Sequence, residues 1–139
     1  MERNVIFTQD APWSPEGSSQ AVSYNGLLYV SGQLPIDPAT GQMLPRPFNP
    51  GFGGGEQAVN AQTRQCLTNL NAICLAAGAD LPNAIKLTIY TPVLIEFASV
   101  IDQVLREFFT VAPPARSLIG VAVLQGNALV QLDAVVPLN

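Results

Sequence analysis

Arg116 is the side chain in this sequence best suited to chemistry. It lies in Pro113-Pro114-Ala115-Arg116-Ser117-Leu118, at the start of an extended run that carries no other charge until Asp133. A guanidinium in apolar surroundings needs an anionic partner, and its planar fork of donors matches a carboxylate or a phosphate. Either a ligand supplies that anion, or one of the chain's ten acids does so in a structural ion pair. Gln131 and Asp133 alternate along the closing strand and share one face. If the last two strands pair about residues 125–128, that face is also the Arg116 face, with Gln131 several rungs away. A hydrogen-bonded edge or interface residue accounts for Asp133 equally well. Ser31-Gly32-Gln33 leaves a strand for a long loop, where an amide and a hydroxyl can cradle an anion or simply turn the chain. Trp13, Tyr24, Tyr29 and Tyr90 fit core packing or a pocket wall.

Several chemistries are excluded. The chain has no histidine, so it has no Ser-His-Asp triad, no Cys-His pair, no His-ligated zinc and no imidazole base. The acids are isolated, which leaves no metal constellation. Cys66 and Cys74 fall on one helical stretch, about 12 Å apart at the helical rise, so they read as small core residues and not as a bridge. Residues 51–55 are glycine-rich but lack the Lys-Ser/Thr of a phosphate loop. Net charge is −4, and Lys86 and five arginines are scattered singly, which opposes nucleic-acid binding. Neither a signal peptide nor an apolar run of membrane-spanning length is evident, so a cytoplasmic protein is expected.

The elements that must position these residues follow from periodicity. Residues 4–8 form an opening strand, and Tyr24-Asn25-Gly26 between residues 18–23 and 27–31 predicts a β-hairpin. Five prolines and five glycines in residues 33–55 predict a long loop with no regular element. Val59, Cys66, Leu70, Ile73 and Ala77 mark a helix that Gly78 ends, with Gln62, Arg64, Gln65 and Asn69 largely off the apolar stripe. Residues 84–90 alternate as a strand, 95–109 form a second helix stopped by Pro113-Pro114, and 115–124 and 129–136 close the chain as two strands. One domain over residues 1–139 results, of α+β class, with two helices on one face of a mixed sheet. Nothing remains to cover the second face. With 48% hydrophobic and only 12% charged residues, the chain is expected to associate with copies of itself.

The segment Tyr29-Val30-Ser31-Gly32-Gln33-Leu34-Pro35-Ile36-Asp37-Pro38, with Thr40-Gly41, the helix from Gln62-Thr63-Arg64-Gln65 to Ala76-Ala77-Gly78-Ala79, and Pro114-Ala115-Arg116-Ser117 resemble the Rid (YjgF-type) family of reactive-intermediate deaminases. The likeness runs in order over residues 11–136. It implies a chorismate-mutase-like (ferredoxin-like) fold, a homotrimer with a barrel-like core, and sites for a small-molecule carboxylate in clefts between subunits. It further implies that Arg116 holds the carboxylate of a 2-imino or enamine acid while water hydrolyses C=N, without metal or cofactor. Backbone amides near Ser31 and Leu118 would complete the pocket, and Gly32 belongs to the same strand end. The chain departs from the family's pattern at Gln131 for a water-positioning glutamate, Ser18 for a tyrosine, Asp102 for an asparagine and Leu118 for a cysteine. The loop before Arg116 is shorter, and residues 45–55 read as an insertion. Three functions follow: imine or enamine hydrolysis, deamination of a larger unsaturated amino acid of the aminomuconate kind, or a trimeric carboxylate-binding or sensor protein without chemistry. The ribonuclease activity ascribed to some relatives is opposed by the acidic charge.

Overall fold

A computed structural model describes residues 2–14, 17–46 and 55–139. Strands β1 (Asn4–Ile6), β2 (Ala21–Tyr24), β3 (Leu27–Gln33), β6 (Lys86–Thr91), β7 (Ala115–Gly120) and β8 (Gln131–Pro137) form one sheet in the order β1-β2-β3-β8-β6-β7. Helices α1 (Gly55–Ala77) and α2 (Leu94–Phe108) pack on one face. The expected α+β class with a mixed sheet is what the chain adopts. The turn between β2 and β3 has Asn25 at φ 54° and Gly26 at φ 79°, the two left-handed residues a tight hairpin of this twist requires. Gly78, at φ 78°, ends α1: its amide reaches the Leu75 carbonyl and that of Ala79 the Cys74 carbonyl, so the last turn's orphan acceptors are satisfied.

Three expectations are corrected. The last two strands do not pair with each other. The α2 crossover delivers β7 parallel to the outer edge of β6, and β8 enters between β3 and β6, antiparallel to both. Residues 121–124 consequently lie outside the sheet, and β7 is an edge strand. Second, the proline-rich stretch holds a two-rung hairpin, β4 (Ile36–Asp37) with β5 (Gln42–Met43), nucleated by the Asp37 carboxylate accepting from the Ala39 amide at 2.9 Å. The remainder of the expected insertion falls partly outside the described residues. Third, Gln62 and Asn69 are fully buried on α1's packed face.

Both buried amides tie α1 to loops. Gln62 accepts from the Leu129 amide at 2.8 Å and donates to the Leu44 and Pro45 carbonyls at 3.5 and 3.3 Å. Asn69 donates to the carbonyls of Leu34 and Ile36 at 3.1 and 2.9 Å. Replacing Gln62 by Ala strands the buried Leu129 amide, and a loss of about 1–3 kcal/mol is expected in denaturant melts; an unchanged midpoint would show that the amide finds another partner.

Register assigns the faces. Val30, Ala134, Leu87 and Arg116 form one row facing the helices, with Leu132, Ile89 and Leu118 in the next. On the opposite, open face lie Val5, Val22, Tyr29, Val135 and Lys86, then Asp133, Thr88 and Ser117, then Gln131, Tyr90 and Ile119. Val5, Tyr29 and Ile119 are exposed there. Asp133 is the acid within this face. Its burial pushes the carboxyl's pKa up, and hydrogen bonds from Tyr90 and Thr88 and the charge of Lys86 offset only part of that. The Lys86 ammonium itself donates to the Ser117 hydroxyl at 3.0 Å. An acid with a raised pKa in the folded state binds its proton more tightly there. Ionising it therefore costs stability, a cost absent below the usual carboxylate range and complete once pH has risen through the raised value. Asp133→Asn is expected to leave the melting temperature unchanged in acid and to raise it at neutral pH; equal melting at both would remove this account.

Candidate functional site

The structure places the candidate residues on two different sides of the sheet, and all but Leu118 and Asp133 line one of two separate hollows. The first, of about 270 Å³, opens where the β3–β8 register shifts between Val30 and Gln33. Ser18, Ser31, Gly32 and Gln131 line it with Trp13 and Gln125. Gln131 lies across Gly32 so closely that a Cβ there would meet the Gln131 Nε2 at 2.3 Å, so glycine is what leaves the amide its place. Both donors of Ser31 are spent on the segment that leads into β2: its amide reaches the Gln20 carbonyl at 2.9 Å and its hydroxyl the Ser19 carbonyl at 2.6 Å. With both donors engaged, Ser31 braces the strand end, the second of the two readings open for Ser31-Gly32-Gln33. Ser18 shares a 2.6 Å hydrogen bond with Ser14. Trp13 is 74% exposed and stands edge-on to Phe7, with ring centroids 5.9 Å apart. No described residue lining this hollow is charged. It offers hydroxyls, amides and one large aromatic surface.

Beneath this wall Gln20 acts as a brace. It accepts from the Thr8 amide at 2.7 Å and donates to the Thr8 and Pro12 carbonyls, each at 3.0 Å. Gln62 and Asn69 hold the far side through Leu44, Leu34 and Ile36.

The second hollow, of about 430 Å³, lies between α2 and β7. Leu87, Leu105, Phe109 and Pro113-Pro114 wall it, and Arg116, Asp102 and Arg106 supply its polar groups. Arg116 Nη2 donates to Asp102 Oδ1, and Arg106 Nε donates to Asp102 Oδ2 at 2.7 Å. The hydrogen bond from Arg116, and after it that from Arg106, holds the Asp102 carboxyl below its usual range against the desolvation that opposes it. Asp102 is thus an ion-pair acceptor and a poor proton acceptor. Leu118, on the same side of β7 as Arg116, packs against the core.

The shared face expected for Arg116, Gln131 and Asp133 is also corrected. Arg116 opposes Leu87 on the helix side, while Gln131 and Asp133 oppose Tyr90 and Thr88 on the open side. The expectation depended on a β7–β8 hairpin that the α2 crossover prevents. Sequence reasoning missed Gln20, Gln62, Asn69 and Gln125. For two of these a signal existed: Val59, Gln62, Cys66, Asn69 and Ile73 recur at threes and fours, so the amides sit in the apolar stripe. Among the described residues no group of three or more acids or cysteines could hold a metal ion. Cys66 and Cys74 are free and buried, and burial pushes the Cys74 thiol up to about 12. No described helix is long and apolar enough to cross a membrane.

Comparison with known proteins places this geometry. Residues 8–137 match the Endoribonuclease L-PSP family. RutC family protein y4sK of Sinorhizobium fredii is 44% identical over 134 residues, 96% of this chain and 97% of that one. The 2-iminobutanoate/2-iminopropanoate deaminase of Bos taurus is 36% identical over 133 residues, covering 96% and 88% of the two chains. Among solved structures, the Rid family protein YyfA of Yersinia pestis, of unknown function, superposes with a TM-score of 0.87 at 33% identity, covering 99% of this chain and all of that one. The match spans both hollows and the elements that build them, and on that ground the chain belongs to the Endoribonuclease L-PSP family, the Rid/RutC proteins.

Proposed function

We propose that the protein hydrolyses a reactive 2-imino or enamine carboxylic acid to its 2-keto acid and ammonia. The observation that carries this reading is Arg116, a partly exposed guanidinium at the rim of an apolar hollow, joined to a family that includes imine deaminases. Each hollow holds half of what the reaction needs: the charged one has the fork for a carboxylate, and the neutral one has groups that can hold water and an imine nitrogen. The open sheet face, with Val5, Tyr29 and Ile119 exposed, supports a homotrimer in which the two halves meet between subunits.

In that cleft Arg116 fixes the carboxylate and so aims the adjacent carbon at a water. The water oxygen adds to that carbon as the imine nitrogen gains a proton, giving a 2-amino-2-hydroxy acid. The hydroxyl proton then passes to nitrogen, the C–N bond breaks, C=O forms and ammonia leaves. Gln131 can hold the water by its amide but cannot take its proton. The step therefore relies on positioning and on the substrate's own reactivity.

The test is ammonia and keto-acid release from imino acids generated in situ by an amino-acid oxidase, together with the mass in solution. Acceleration over the uncatalysed rate by a particle of three chains supports the proposal. Absence of acceleration on small and on larger unsaturated imino acids, with retained carboxylate binding, favours a carboxylate-binding or sensor protein. The specific observation behind that second reading is that Gln131 has no proton-accepting carboxylate and Asp102 is taken up by two arginines.

A further inference from the structure

We infer that Asp102 is a built-in occupant of the Arg116 clamp, a carboxylate of the protein's own standing where a ligand carboxylate binds and weakening the site for simple monocarboxylates. The inference rests on the reading of Arg116 as the ligand clamp.

The geometry is that of a bound carboxylate. Asp102 Oδ1 receives Arg116 Nη2 while Oδ2 receives Arg106 Nε at 2.7 Å. Asp102 and Arg106 sit four residues apart on α2, so their mutual bond is local to the helix and survives when Arg116 turns away. A ligand that takes Arg116 therefore leaves Asp102 with one cationic partner and creates no stranded charge. Exchange is possible, but it is not free. The three groups sum to one positive charge, so an incoming carboxylate meets a weaker attraction than the two guanidiniums alone would give. If it shares the guanidinium, it lies beside a like charge. Leu105, Phe109 and Pro114 stand beside this cluster, but its charged groups remain partly exposed, so solvent screens part of that repulsion. A keto acid has no donor next to its carboxylate to offer Asp102 and meets it as repulsion only.

The test is calorimetric titration of 2-oxobutanoate into the native protein, Asp102→Asn, Arg116→Ala and the double variant. Asp102→Asn keeps the side chain's shape and one acceptor oxygen and removes the charge. Its dissociation constant is expected to fall about five- to tenfold, an advantage that shrinks in high salt, as a partly exposed charge effect must. Asp102→Ala, expected to move the same way, serves if the Asn variant does not fold. Arg116→Ala is expected to abolish binding in either background. If Arg116→Ala abolishes binding while the Asp102 variants bind equally or more weakly, Asp102 positions the guanidinium, and this inference alone is overturned. If Arg116→Ala retains binding, or if neither the native protein nor the Asp102 variants give heat, the clamp reading falls and this inference with it.

Discussion

Arg116→Ala is expected to lower kcat/KM for imine hydrolysis by roughly 10²- to 10³-fold, the scale of removing a charged group that both binds and orients a reactant. The expectation follows from how little else in the described site is cationic. The hollow lined by Gln131, Ser31 and Trp13 offers no charge, and Arg106, the other cation of the charged hollow, is held to Asp102 by a contact within α2 that persists when Arg116 turns to a ligand. Arg116→Lys is expected to fail nearly as badly, since an ammonium supplies a point charge where the substrate's carboxylate needs two parallel donors and a fixed plane. Stability separates this from a folding defect. Arg116 is partly exposed and its pair with Asp102 is of the surface kind, so the melting temperature should hardly move. Asp102 keeps Arg106 when Arg116 is gone, which spares the variant an isolated carboxylate. Steady-state ammonia release and a thermal melt on the same preparation decide the matter; full activity in a folded Arg116→Ala protein would remove the guanidinium from the reaction.

Much of this arrangement was legible in the residues. Asn25-Gly26 fixed a hairpin because only left-handed backbone closes a two-residue turn with the sheet's twist. The apolar stripe from Val59 to Ile73 and the stop at Gly78 located α1, since burial and the end of helical hydrogen bonding are both local to the chain. Arg116 stood out because an uncharged strand made its charge conspicuous. What failed was long-range. Strand order is decided by the α2 crossover and by which edge β8 can fill, and no periodicity within residues 115–136 distinguishes a hairpin from a strand inserted between β3 and β6. That single difference moved Gln131 and Asp133 to the side of the sheet opposite Arg116.

The buried amides illustrate a second limit. Gln62 and Asn69 read as solvent-facing because amides usually are, yet each supplies a partner to backbone carbonyls of the irregular segments beside the β4–β5 hairpin, Pro45 for Gln62 and Leu34 for Asn69. Polarity alone cannot report whether a side chain faces water or an irregular backbone. The pairing of Asp102 with Arg116 was equally hidden: fourteen residues and a helix-to-strand turn separate them, and several other acids were equal candidates.

Gln131→Glu is the substitution expected to raise activity. Glutamate has the shape of glutamine, so it fits the same narrow place across Gly32, where even a methyl group would collide. What changes is the proton. The native amide can orient a water but not deprotonate it, whereas a carboxylate held at the same point can act as general base, a contribution of about 10² or more in rate. Turnover of small imino acids is expected to rise by about that factor, with the Arg116-dependent KM changing less, because Arg116 and not residue 131 grips the substrate's carboxylate. The pH profile carries an independent signature. No described titratable group lines the hollow around Gln131, so the native rate should show no carboxylate limb from this side; the variant should lose activity in acid as the new glutamate protonates. A faster variant with an unchanged acid profile would locate the gain elsewhere. An unchanged rate would mean that water is delivered from a different direction, and the neutral hollow would then be a substrate wall, with catalysis resting on Arg116 and the substrate alone.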